Sequence, residues 1–146
     1  MRSIKERLLP ALLILAVFAL GFAVLTRFSG RYLPGWMTHN YFGFIWLAAI
    51  LAALFGQKRF AGLLTAGCFA GILIGTATES FWADRRLREI AALRQQGLTG
   101  AQIAEKTSGL PMPFQIWTVC LLLAAAAGIL WEIKRRKKET NTNGTD

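Results

Sequence analysis

The sequence predicts an all-α membrane protein: four transmembrane helices, with an amphipathic helical segment between the third and the fourth. Three observations carry this expectation. Hydrophobic residues make up 54% of the chain and charged residues 17%, against roughly one quarter charged in ordinary soluble domains. The charges sit in short clusters, and the apolar runs between them are long enough to cross about 30 Å of hydrocarbon. What remains outside these runs is too short for a separate soluble domain of usual size.

Residues 1–7 form a cytoplasmic N-terminus carrying Arg2, Lys5 and Arg7, and residues 8–26 follow without a charge as the first span. A secretory signal peptide shares this layout, but its apolar region is shorter and ends in a small-x-small cleavage site, which is not found near Arg27. An uncleaved helix is therefore expected. Pro10 lies at its start, where the missing N–H costs little.

An external loop is expected over 27–35, because Gly30, Pro34 and Gly35 interrupt helix. The second span, 36–56, opens with Trp36, His39, Asn40 and Tyr41, a mixture suited to the headgroup zone. Gln57, Lys58 and Arg59 make a tight cytoplasmic turn, and 60–78 returns as the third span, necessarily an antiparallel neighbour of the second. Within it Gly67, Gly71 and Gly75 recur every fourth residue and so line one stripe, with Phe69, Ile72 and Leu73 expected on the far side. In hydrocarbon a small-residue stripe lets two backbones approach. It serves either as packing against the chain's own helices or as a seam between copies.

Residues 79–113 form the external segment. Ala83, Leu87, Ile90 and Leu93 follow helical spacing, Asp84, Arg85, Arg88 and Glu89 occupy the opposite face, and Asp84 and Arg88 form an i, i+4 pair. No helix breaker stands between Gly75 and Gly97, so the third span is expected to continue outward as one helix past Phe81 and Trp82. Thr99 and Gln102 have capping-box spacing ahead of a second short helix that stops near Ser108, Gly109 and Pro111. The stretch 97–110 also resembles a helix-turn-helix loosely. Its glycine spacing is off by one, two prolines follow, and across 79–113 five basic residues are offset by Glu79, Asp84, Glu89 and Glu105, so nucleic acid is not an expected partner. A capped amphipathic cover lying on the membrane or on a partner is the better account.

The fourth span, 114–131, has Trp117 and Trp131 near its ends and Ala124 and Gly128 four apart. A basic cytoplasmic tail, 132–146, follows directly with Lys134, Arg135, Arg136, Lys137 and Lys138, its end from Asn141 expected to be disordered. The run serves as a topological stop or, in a sharper reading, as a contact for anionic lipid. Of the 17 Lys and Arg residues, those at positions 2, 5, 7, 58, 59 and 134–138 fall inside when the N-terminus is cytoplasmic. Arg27, Arg31, Arg85, Arg86, Arg88, Arg94 and Lys106 fall outside. The inner set is larger and crowds the span ends, so both termini are expected in the cytoplasm, in the inner membrane of a bacterium. The glycosylation-like Asn143-Gly144-Thr145 then has no meaning.

Catalysis finds little support in these residues. Cys68 and Cys120 are single and lie in apolar spans, His39 has no cluster of ligating residues around it, and no nucleophile elbow, phosphate loop or dinucleotide fingerprint occurs. No enzyme, cofactor or metal is expected. In size and span number the chain is similar to the small multidrug-resistance transporters, which work as dimers around a membrane-embedded glutamate. Here no span interior carries a charge, which removes the chemistry such a pump needs. Glu79 and His39 remain as candidate polar residues at the membrane boundary. The expected function is a non-catalytic accessory or assembly protein that lies in the lipid bilayer and binds a membrane-protein partner or a second copy of itself. The alternative is a subunit of an oligomeric transporter or channel.

Overall fold

The computed structural model describes residues 4–142. Arg2 and the Asn143-Gly144-Thr145 acceptor lie outside the described residues. The described residues form helices joined by short turns: α1 (Ile4–Thr26), α2 (Tyr32–His39), a 3-10 turn (Tyr41–Phe44), α3 (Ile45–Leu54), α4 (Lys58–Gln95), α5 (Gly100–Lys106) and α6 (Met112–Thr142), with no strand among them. Three of these helices are long and apolar enough to cross a membrane, and the bent pair α2 and α3 makes a fourth if it acts as one span.

Helix α1 begins ahead of the apolar run, so Pro10 lies well inside the helix rather than in its first turn. It removes the bond that residue 10 would have given to the carbonyl of residue 6. Ala11, Ile14 and Phe18, spaced three and four apart, bury one face of α1. Helix α2 begins at Tyr32, inside the segment expected as loop, and the buried Pro34 and Gly35 belong to it. Proline is tolerated there because the first-turn N–H groups have no intrahelical acceptor.

The second apolar run is not one straight helix. Its two halves are bent by 64° from a straight line across a left-handed turn in which Tyr41, Phe42 and Phe44 have φ of 48°, 56° and 60° beside Gly43 at 58°. Each such residue costs roughly 1–2 kcal/mol, so packing must hold the turn. Phe42 is 2% exposed, with its ring 5.3 Å from Phe18 and 5.7 Å from Phe69. Pattern alone could not show the bend, since an apolar aromatic stretch reads equally well as continuous helix.

Helix α4 is the centre of the fold. It runs unbroken for 38 residues, about 57 Å, and stops where Gly97 takes φ of 79°. There the N–H groups of Gly97 and Leu98 bond back to Arg94 and Leu93, a glycine-dependent C-terminal closure. One face of α4 packs on α6 in the largest interface of the chain, while α3, α2 and α1 also pack on α4. This corrects the expected far side of the glycine stripe. Ile72 is 2% exposed and Phe69 is half-buried against Phe18, so only Leu73, at 71%, faces outward. Helix α6 likewise does not end with its apolar part at Trp131 but continues through the basic run to Thr142.

Candidate functional site

Helices α4 and α6 run antiparallel and meet along the glycines. A β-carbon added at Gly67 would overlap that of Ala124, one at Gly71 would lie 3.0 Å from the Trp117 Cα, and one at Gly75 would lie 2.7 Å from the Pro113 carbonyl oxygen. Gly128 gives the same clearance to Phe60 from the α6 side. The stripe is thus occupied by the chain's own helix. Cys68 is buried on the same helix and Cys120 is half-buried on α6, both as free thiols.

Beyond Gly75, level with the start of α6, α4 continues for about 30 Å, with Tyr32 packed on Trp82 along its first part. Glu79 stands at the base of this arm, and its Oε1 accepts the Tyr32 N–H at 2.5 Å. A carboxylate on α4 therefore serves the N-terminus of α2, which has no side-chain cap of its own, and favours the positive end of that helix. Arg31 reaches the Thr76 carbonyl at 3.5 Å alongside. Glu79→Ala is expected to weaken the fold by about 1–2 kcal/mol and to speed tryptic cleavage at Arg31. An unchanged cleavage rate would show that the contact does not hold α2.

His39, the other boundary candidate, is exposed, and its Nδ1 pairs with the Gly35 carbonyl of its own helix at 2.8 Å. The two candidates therefore have separate partners. No group of three His, Cys, Asp or Glu residues able to hold a metal occurs among the described residues.

Farther along the arm, the Arg86 guanidinium donates to the Thr107 carbonyl and lies 5.3 Å from the Trp82 ring centroid, which ties α5 to α4. The Gln102 side chain accepts the Thr99 N–H at 3.0 Å as the start of α5, and Ile103 is buried. Sequence reasoning placed Leu87 on the covered face with Ile90 and Leu93. Instead Leu87 is 66% exposed while Ile90 and Leu93 are half-buried, because α5 is anchored at Arg86, on a neighbouring strip of the helix.

The opposite end of the α4–α6 pair brings the expected turn residue Arg59 against Trp131 and the basic run, together with Glu132, which the sequence did not single out. Arg59 lies 4.9 Å from the Trp131 ring centroid, and a cavity of about 540 Å³ is lined by Arg59, Ala127, Leu130, Trp131, Lys134 and Arg135. Glu132 is 7% exposed and lies 3.4 Å from Arg135. The signal for Glu132 was its place four residues after Gly128, on the face that meets α4. It was obscured by the basic run around it.

Fold and side chains together define a small all-helical protein with three or four apolar helices of span length and a clustered basic end. No protein-family model matches the chain, and neither a curated protein nor a solved structure shows significant similarity to it.

Proposed function

We propose that this protein is a four-span integral membrane protein, with both termini in the cytoplasm, that acts as a non-catalytic accessory or assembly factor for a membrane partner. The observation that carries the reading is the arm formed by α4 and α5. It continues α4 beyond its glycine contact with α6, is tied to α5 by the Arg86–Thr107 bond, and, with the segment after α5, leaves Phe81, Leu87 and Leu110 more than 60% exposed. Large apolar groups left exposed on a hydrogen-bonded helix pair suit a partner surface. The clustering of basic side chains at the other end supports the orientation. The alternative, a subunit of an oligomeric transporter or channel, draws on Glu132, the buried carboxylate near that end.

Two measurements test this. A cytoplasm-active reporter fused after Asp146 and a periplasm-active reporter inserted near Gly97 should both be active, and the reverse pair would overturn the topology. A photocrosslinker at Leu87 or Phe81 in intact cells should give one discrete heterologous adduct that a crosslinker at Leu73 does not give. An adduct at twice the chain mass would favour the oligomeric alternative, and the absence of any adduct would remove the partner role of the arm.

A further inference from the structure

The cavity at the basic end has the chemistry of a receptor for one kind of ligand. Its rim carries three cationic side chains from two helices, Arg59 of α4 and Lys134 and Arg135 of α6, and its wall is apolar through Ala127, Leu130 and the Trp131 ring. The volume of about 540 Å³ lies within the range of small-molecule sites. Arg59 is in the first turn of α4, where the helix dipole adds to the attraction for an anion. Buried Glu132 offsets part of this charge through Arg135, which leaves Arg59 and Lys134 as the main electrostatic attraction.

We propose that this cavity binds the phosphate headgroup of an anionic phospholipid. This rests on the membrane reading above. A lipid fits better than a free phosphate because the apolar wall does not end at the cavity. Leu130, itself a lining residue, is 67% exposed, and Leu122, Leu123 and Ile129 continue as exposed apolar side chains along α6 away from the basic end, a path for an acyl chain. The phosphate meets guanidinium and ammonium donors, Trp131 stands at the interface level where indole rings are enriched, and the chain follows the α6 surface. Basic pockets between helices at the cytoplasmic side are a recognised form of headgroup site. The lipid would thereby bridge the start of α4 and the end of α6, where Arg59 and Trp131 already touch.

The test is native mass spectrometry of the full chain in detergent, titrated separately with phosphatidylglycerol, phosphatidylcholine and inorganic phosphate. One phosphatidylglycerol should be retained in preference to phosphatidylcholine, and inorganic phosphate should not displace it. Arg59→Gln with Lys134→Gln should weaken retention about thirtyfold, the equivalent of about 1 kcal/mol for each charge, and Lys134→Gln alone should weaken it by about fivefold. Lys137→Gln, outside the cavity, should have little effect. Thermal midpoints without lipid separate loss of the site from loss of fold. Equal retention of both lipids, displacement by inorganic phosphate, or equal effects at Lys134 and Lys137 would each overturn the proposal. Membrane fractionation keeps the two readings apart: a chain found in the membrane without phosphatidylglycerol preference refutes the lipid site alone, and a chain absent from the membrane refutes the membrane reading.

Discussion

Gly71→Leu should cause a large loss of stability, at or beyond the upper end of the roughly 1–3 kcal/mol that overpacking a close contact usually costs. Even a methyl group at this position would lie 3.0 Å from the Trp117 Cα and 3.1 Å from the Cys120 Cβ. The first of these is backbone and cannot rotate away. Leucine adds three further carbons in the same direction, so α4 and α6 must separate along their whole shared face. In hydrocarbon, close approach supplies much of what holds helices together, because apolar surface gains nothing by merely leaving lipid. Gly62→Leu is the control, since nothing lies within 4 Å of its β-carbon position and leucine is the better helix former. Thermal unfolding in detergent should show a large drop for Gly71→Leu and no drop for Gly62→Leu. Because the stripe is filled by the chain's own α6, oligomeric size before unfolding should be the same for both. A Gly71→Leu protein as stable as the parent would mean that α4 and α6 do not pair through this face.

Phe42→Ala is expected to cost about 3–5 kcal/mol, the usual range for deleting a buried aromatic side chain. Its effect should extend beyond the cavity it leaves. Tyr41, Phe42 and Phe44 hold positive φ in succession, and strain of that kind persists only where surrounding contacts over-determine it. Tyr41 and Phe44 are about 60% exposed and supply little anchoring, so the ring of Phe42 among Phe18, Phe22 and Phe69 is what keeps the turn left-handed. Without it, the two halves should relax toward one continuous helix. Spin labels at the exposed positions His39 and Leu51 report this directly, because twelve residues of straight helix span about 18 Å and the bent arrangement is shorter. The distance should lengthen in Phe42→Ala. A stable variant with an unchanged distance would show that the turn is fixed by local sequence and not by the aromatic cluster.

The basic and boundary groups divide along the same line between local and long-range information. Glu79 is legible as a candidate because it is a carboxylate at the membrane boundary, but its partner, the Tyr32 N–H, is remote in the chain and no pattern connects them. Arg59 and Trp131 have the same relation. Each sits at an unremarkable local position, one in a turn and one at the end of an apolar run. Only the antiparallel arrangement of α4 and α6 makes them neighbours and leaves a cavity beside them.

By itself the sequence determined the helical class, the span-length apolar runs, the small-residue stripe and the continuity of α4 to Gln95. These follow from composition, period and the absence of helix breakers, which act over one or two turns and need no partner. Tertiary structure alone decided the bend at Tyr41–Phe44, the burial of Ile72, the exposure of Leu87, the occupation of the glycine stripe by α6 and the assembly of the basic cavity. In each of these the outcome depends on which remote surface arrives to cover a residue. A strained turn is paid for by Phe18 and Phe69, a helix face is buried or open according to where α5 is anchored, and a cavity exists because two helix ends stop side by side.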